Sequence, residues 1–245
     1  MDVKNEDGQP DLFGAIIREL QQDQEHTQPD AGKAQEQREH SGLSAGTDSG
    51  TSVLPGKESF SERLSFTGVH TEGVSLYDAS YTDCTFTNCS IKKTDLTNAT
   101  FTGCSFVNCE LVLCKIDGTA IDCTRFVSCR LTGMNFTEVS EYGFGPDFSE
   151  CMLDSCVFYD NTLNKDRFLN STLRNTDFTN CRMKNTDFSG SRFQSVTVLG
   201  CNLEGADFRS ASGYSIDPSA NKLKGARFSL PEAASFLKYI GVSLE

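Results

Sequence analysis

The eleven cysteines are the residues of this chain best suited to metal or redox chemistry, since thiolates bind soft metals and form disulfides. Their spacing argues against both roles. The sequence has no CxxC pair, and consecutive cysteines such as Cys104, Cys109 and Cys114 are five residues apart. All of them except Cys123 occupy one position of a five-residue period. This regularity favours small buried side chains over disulfides between stacked pairs such as Cys89 and Cys109, and it predicts no metal site and no cofactor.

Residues for acid–base catalysis are also poorly placed. His26 and His40 lie in a polar N-terminal stretch, and His70 lies near the first repeats. Since the repeats themselves contain no histidine, a Ser/His/Asp or Cys/His site there would have no general base. The sequence also lacks a glycine-rich phosphate-binding motif. Four aspartates that precede apolar repeat positions are predicted to face solvent: Asp95, Asp177, Asp187 and Asp207. The sequence therefore predicts a protein that is not an enzyme.

An apolar residue recurs at every fifth position in two long series. The first series is Leu76, Tyr81, Phe86, Ile91, Leu96, Phe101, Phe106, Leu111, Ile116, Ile121, Phe126, Leu131 and Phe136. The second is Phe148, Leu153, Phe158, Leu163, Phe168, Leu173, Phe178, Met183, Phe188, Phe193, Val198, Leu203 and Phe208. Neither a helix nor a straight strand points positions five apart to one side. The chain must therefore turn once in every five residues.

The other positions of the repeat fit such a corner. Two residues before each apolar centre the side chain is usually small, as at Ala79, Cys84 and Thr94, and two after it turn formers such as Asn88 and Gly103 are common. Side chains at every fourth apolar centre are similar, as at Phe86, Phe106 and Phe126. A coil with four sides of five residues each would stack these similar side chains directly above one another. The sequence predicts an all-β, four-sided β-helix with a short C-terminal helical cap.

Segments such as "TDLTN", "ATFTG", "TDFTN" and "ADFRS" resemble the pentapeptide-repeat family, whose loose motif is A(D/N)LXX. The resemblance runs from about residue 64 to residue 228 and implies a right-handed quadrilateral β-helix. The tail "GYSIDPSANKLKGARFSLPEAASFLKYIGVSLE" also resembles the C-terminal ends of Qnr-like members. Those members protect DNA topoisomerases from quinolones, so the resemblance implies a protein partner, DNA gyrase or topoisomerase IV.

Residues 1–63 differ from the repeats and are predicted to be a disordered tail. One amphipathic helix is predicted within it near residues 11–21, and its apolar residues are Leu12, Phe13, Ile16, Ile17 and Leu20. This helix cannot bury its apolar face alone. It could cap the first coil, tether a partner or membrane surface, or form only transiently.

Residues 229–245 are predicted to form a C-terminal helix, with Ser229 as N-cap, Pro231 in the first turn and Gly241 at the exit. Phe236, Leu237 and Ile240 form its apolar surface. That surface either covers the last coil or joins two molecules end to end as a homodimer.

The two series are separated by twelve residues rather than ten, so two residues are inserted near residues 137–147. A loop or bulge is predicted there. Its candidate partner-contact residues are Glu138, Glu141, Tyr142, Phe144 and Asp147. Alternatively, Phe144 turns inward and only repairs the register.

The formal charge of −12 divides into −7 for residues 1–65 and −5 for residues 66–245. An acidic balance disfavours direct binding to nucleic acid. The sequence shows neither a membrane span nor a signal peptide, so a cytoplasmic protein is predicted.

About 7.5 coils at ~4.8 Å per coil give a predicted rod of roughly 36 Å, which is the length of about ten base pairs of duplex DNA. The first hypothesis is a Qnr-like DNA mimic that binds a type II topoisomerase. The alternative is a scaffold that binds another protein through the N-terminal helix or a rod face.

Overall fold

The computed structural model describes residues 53–242, which form a β-helix of stacked parallel strands with one short helix at its C-terminal end. Each coil has four sides, and equivalent residues in successive coils are normally twenty apart, as in the pairing of Phe66 with Phe86. We number the sides by residues of one coil, so that face 1 contains Tyr81, face 2 Phe86, face 3 Ile91 and face 4 Leu96. The predicted four-sided β-helix is confirmed.

The strands are two or three residues long because each side spans only five residues. Face 1 contains β1 (Phe60–Glu62), β4 (Ser80–Thr82), β7 (Thr100–Thr102) and β10 (Ala120–Asp122). Face 2 contains β2 (Ser65–Thr67), β5 (Thr85–Thr87), β8 (Ser105–Val107), β11 (Arg125–Val127), β13 (Asp147–Ser149), β16 (Phe168–Leu169), β21 (Asp207–Phe208) and β22 (Arg227–Phe228). Face 3 contains β3 (His70–Glu72), β6 (Ser90–Lys92), β9 (Glu110–Val112), β12 (Arg130–Thr132), β14 (Met152–Asp154), β17 (Thr172–Arg174) and β19 (Arg192–Gln194). Face 4 contains β15 (Val157–Tyr159), β18 (Asp177–Thr179) and β20 (Thr197–Leu199).

Corners between the sides place one residue in the left-handed region of backbone space. Asn88 has φ of 53° and Gly103 has φ of 63°, for example. Asparagine, aspartate and glycine enter this region at the lowest cost, which explains why they recur two residues after the centres.

One continuous stack of phenylalanine rings forms the core of face 2. Its members are Phe66, Phe86, Phe106, Phe126, Phe148, Phe168, Phe188, Phe208 and Phe228. Neighbouring ring centroids are 4.4 Å apart at the closest pair, Phe86 and Phe106, and 5.1 Å apart at Phe126 and Phe148. The stack therefore crosses the insertion without a gap, since Phe126 pairs with Phe148 twenty-two residues later.

The coil begins earlier than the sequence indicated. Strand β1 starts at Phe60, whereas the predicted repeats start at residue 64. The centre of this first strand is the buried Ser61, so no apolar residue marks the period there. The candidate helix of Leu12, Phe13, Ile16, Ile17 and Leu20 lies outside the described residues.

The C-terminal helix is a 3-10 helix, Glu232–Ile240. The prediction of Ser229 as N-cap was wrong, because Pro231 occupies that position and no side chain caps the helix. Gly241 ends the helix with φ of 77°. In the preceding coil Tyr214 and Ile216 are buried, so they fill the core where Gly213 and Pro218 stand at the expected centres.

Candidate functional site

The insertion forms a loop whose two ends remain in the backbone ladder of the coil. The Ser140 N–H donates to the Thr119 carbonyl at 3.0 Å, and the Gly145 N–H donates to the Ile121 carbonyl at 3.1 Å. The extra residues therefore lie between these two anchors, on face 1. Gly143, with φ of 72°, lies against the Asp122 side chain of the preceding coil, so a larger residue there would be crowded.

The five candidate contact residues of the loop have different environments. Tyr142 is 91% exposed, and Glu138 and Glu141 are exposed too. Phe144 is half-buried and packs on the core, with its ring centroid 6.1 Å from that of Phe136. Asp147 accepts hydrogen bonds from the Arg167 side chain and backbone. The structure thus presents three of the five to solvent and holds two against the coil.

Acidic residues collect on face 4 and on the corner that follows it. This surface, called the acidic face below, has eight carboxylates: Glu58, Asp78, Asp95, Asp117, Glu138, Asp160, Asp177 and Asp217. Its bases are Lys57, which pairs with Glu58 at 3.2 Å, and Lys115, which approaches Asp117 at 3.8 Å. The other six carboxylates form no ion pair with any residue in the described part of the chain.

Several carboxylates on the other three faces are paired with a base of a neighbouring coil. Glu72 binds Lys93 at 3.0 Å, Glu110 binds Lys92 at 2.7 Å, and Glu204 binds Lys184 at 2.7 Å. Further pairs join Asp147 to Arg167 and Asp154 to Arg174. With eight carboxylates and two bases, the acidic face concentrates negative charge on one side of the coil.

Two aspartates of the acidic face accept hydrogen bonds from the residue two positions later in the chain. Asp95 accepts hydrogen bonds from the Thr97 hydroxyl at 2.6 Å and from the Thr97 backbone, and these bonds lower the pKa of Asp95. Asp217 accepts the same two bonds from Ser219, and its pKa is lowered too. These hydrogen bonds therefore favour the ionised form of Asp95 and Asp217.

The ten cysteines of the repeat are buried, whereas Cys123 is exposed. In the longest column the backbone N–H groups of Cys89 and Cys109 each donate to the thiol of the next coil at 3.3 Å. Burial raises the pKa of Cys156 to about 12, which disfavours the reactive thiolate. No cysteine of the described region is in a disulfide.

Within residues 53–242, no cluster of three or more histidine, cysteine or acidic side chains could hold a metal ion. An apolar cavity inside the coil is lined by residues including Phe106, Ile121, Met134 and Phe136. None of the helices in this range is long and apolar enough to span a membrane.

Comparisons with known sequences agree with this geometry. Residues 79–118 match the family description "Pentapeptide repeats (8 copies)", and residues 144–208 match "Pentapeptide repeat region". The coil is a pentapeptide-repeat β-helix. Among curated proteins, no sequence match to this chain was found.

Solved structures show the same pentapeptide-repeat fold. A trypsin-treated variant of QnrB1, a plasmid-mediated fluoroquinolone resistance protein, superposes with a TM-score of 0.59 at 16% identity, covering 77% of this chain and 91% of that chain. A second trypsin-treated QnrB1 variant gives a TM-score of 0.58 at 16% identity, over 77% of this chain and 92% of that chain. At this identity the likeness concerns the fold.

Two features of the pentapeptide-repeat coil were missed in the sequence. The acidic face was hidden because the charge was summed over all four faces. Arranging the residues in columns of twenty, with the insertion removed, would have revealed it. Asp166 was also missed, although it stands two residues before the centre Phe168, a position where most repeats have a small uncharged side chain.

Proposed function

We propose that this protein is a non-enzymatic binding protein whose acidic face occupies a basic, DNA-binding surface of a type II topoisomerase, DNA gyrase or topoisomerase IV. The observation that carries the proposal is the row of six carboxylates on the acidic face that have no ion-pair partner among the described residues. A basic surface that binds the phosphates of DNA would also attract a regular row of unpaired carboxylates.

The dimensions of the acidic face fit this role. From Asp78 to Asp217 it runs through about seven coil steps, which at ~4.8 Å per step is roughly 34 Å. Duplex DNA covers that length in about ten base pairs. The backbone that carries the carboxylates is hydrogen-bonded between coils, as from the Asp78 N–H to the Thr97 carbonyl at 3.1 Å and from the Asp160 N–H to the Thr179 carbonyl at 3.0 Å, so it needs little ordering on binding.

The choice of a topoisomerase among DNA-binding proteins draws on the fold likeness to QnrB1, whose description names fluoroquinolone resistance. The exposed loop supplies a second contact. Tyr142 projects into solvent, and tyrosine is enriched among the residues that dominate protein interfaces. Glu138 joins this loop to the acidic face.

The test is a titration of the full chain into gyrase supercoiling and quinolone-stabilised cleavage assays. Inhibition of supercoiling or protection from the quinolone is expected. Purified protein that neither binds gyrase nor changes either assay would contradict the topoisomerase proposal.

Two variants with matched charge test the acidic face. Asp78→Asn, Glu138→Gln and Asp160→Asn together remove three exposed charges from it. The control, Glu72→Gln, Glu150→Gln and Glu204→Gln, removes three charges from other faces. The first variant should raise the half-effective concentration about tenfold and the control less than about twofold. Equal effects of the two variants would mean that only net charge matters.

A further inference from the structure

Asp166 is a carboxyl group at an inward-pointing position of the repeat. It precedes Phe168 by two residues, and in the next coil of the same column stands Thr186. The Asp166 Oδ2 atom is buried and has no hydrogen-bond partner among the described residues. A buried polar atom without a partner is costly, so its surroundings should reveal a reason.

The missing partner follows from the residue one coil earlier. At this position of the repeat, the backbone N–H of one coil donates to the side chain of the next: Cys151 to Ser171 at 3.0 Å, Ser171 to Ser191 at 2.9 Å, and Cys201 to Asn221 at 2.9 Å. The residue above Asp166 is Pro146, because Phe148 pairs with Phe168. Proline has no N–H, so the carboxyl group loses this donor.

Pro146 is also the end of the loop. The Asp166 Oδ1 atom lies 3.7 Å from the position that a Cβ on Gly145 would occupy, so the carboxyl group lies beside this end of the loop. Other inward hydroxyls donate to a carbonyl of the preceding coil, as Thr124 does to Phe101 at 3.1 Å. The same separation of twenty-three residues leads from Asp166 to Gly143, within the loop.

Most of the charged residues near Asp166 in the chain and in the adjoining coils are acidic. These charged residues are Asp147 and Asp122 on the two preceding coils, Glu141 in the loop, Lys165 and Arg167 beside it in the chain, and Asp187 on the following coil. Arg167 is engaged with Asp147 at 2.8 Å, and Asp187 accepts from the Ser189 hydroxyl at 2.5 Å. Burial first, and the negative charge of Asp147 second, raise the pKa of Asp166 to about 7.

We propose that the loop of residues 137–147 is a pH-responsive surface element, closed over a neutral Asp166 carboxyl group and displaced from the coil when that group ionises. A neutral carboxyl group carries an O–H that can donate to the loop backbone, whereas the carboxylate needs donors that Pro146 cannot supply. Opening lets water reach the carboxylate and moves Tyr142 with the loop. The response depends on the chain alone and not on which partner the acidic face binds.

The experiment is an NMR titration of the full-length, isotope-labelled protein from about pH 5.5 to about pH 8.5. The Asp166 carboxyl carbon and the amides of Gly143 and Gly145 are followed together. They should shift with one common midpoint close to pH 7. An Asp166 that titrates near pH 4, or glycine amides that stay still while Asp166 titrates, would overturn the proposal.

Two variants keep the result interpretable. Asp166→Asn preserves the shape, and Asp166→Thr copies the threonines at the same position two coils earlier and one coil later, Thr124 and Thr186. Both should abolish the transition of the two glycines. Asp147→Asn should keep the transition and lower its midpoint, since it removes the repelling charge. A transition that survives unchanged in both Asp166 variants would assign it to another group.

Discussion

At the scale of single residues, the repeat decides which side chains can react. A thiol two residues before a centre points into the coil and donates to a backbone carbonyl, as Cys109 does to Phe86 at 3.3 Å. Cys123 instead occupies a corner, with φ of 48°, and is exposed. Position in the five-residue period therefore separates inert thiols from an accessible one.

Thiol labelling measures this separation. In the native protein one thiol equivalent, Cys123, should react with a small maleimide, and all eleven should react in denaturant. The hydrogen bond and charge of Asp122 raise the pKa of Cys123, so Asp122→Asn should speed the reaction at pH 8 severalfold. The control is Cys123→Ser, which should leave no fast-reacting thiol. Rapid labelling of several cysteines would show that the coil opens.

At the scale of elements, corners and ends impose the strictest steric limits. Gly213 has φ of 73°, and a Cβ there would lie 2.3 Å from the backbone oxygen of Phe193. Gly68 has φ of 65°, but a Cβ there would meet nothing within 4 Å. The two glycines thus separate the cost of left-handed backbone from the cost of a steric clash.

Alanine at these two glycines should give different losses of stability. Gly68→Ala adds only left-handed strain and should lower the free energy of unfolding by about 1 kcal/mol. Gly213→Ala must also move backbone, so it should lower it by more than about 2 kcal/mol. Urea unfolding followed by circular dichroism gives both values. Equal losses would mean that the last coil relaxes freely.

The 3-10 helix offers a test of cap against dimer contact. Phe236 packs edge-on against Phe228, the last ring of the core stack, with the two ring centroids 4.7 Å apart. The side chain of Ile240, in contrast, is 70% exposed. If the helix is a cap, Phe236→Asp should uncover the last coil and cause concentration-dependent association, and Ile240→Asp should change nothing. If the helix joins two molecules, Ile240→Asp should dissociate a dimer. Sedimentation velocity distinguishes these outcomes.

At the scale of the whole molecule, the distribution of charge matters more than its sum. The net charge of −12 is shared by the N-terminal stretch and the coil, but within residues 53–242 the acidic face has eight carboxylates and only two bases, Lys57 and Lys115. Such a face acts over about a Debye length and is screened by salt.

Ionic strength should therefore control partner binding. Raising salt from about 50 mM to about 200 mM should weaken the effect on gyrase at least tenfold for the natural chain. The triple variant of Asp78, Glu138 and Asp160 should show a smaller salt dependence than the control of Glu72, Glu150 and Glu204. If the two triple variants showed the same salt dependence, the contact with gyrase would lie outside the acidic face.

Removal of residues 1–52 separates the two functional hypotheses. If the acidic face carries the function, the truncated chain should act on gyrase at about the same concentration as the full chain. If the candidate N-terminal helix of Leu12, Phe13, Ile16, Ile17 and Leu20 binds the partner, the truncated chain should lose binding in a pull-down. Circular dichroism before and after truncation checks that the coil remains folded.

The sequence alone was sufficient for the architecture. Burial at one residue in five is a local property of the chain, and a series such as Leu76 to Phe136 has no other explanation than a turn on every side. The buried cysteines and the inserted residues near 137–147 follow from the same period, since each is read against its immediate neighbours. The start of the coil was misplaced because Ser61 gives no apolar signal, and Ser229 was taken for a cap that Pro231 displaces.

Only the tertiary structure decided what depends on contacts twenty residues apart. Phe126 and Phe148 lie in one stack only because the two extra residues form a loop between them, and the pairing of the two coils shows this position of the loop. The same pairing places Pro146 over Asp166 and determines which acids face a base on the next coil. Glu110 meets Lys92, whereas Asp177 meets no base within the described coils. The surface is thus set by the stacking of coils, which a five-residue pattern does not contain.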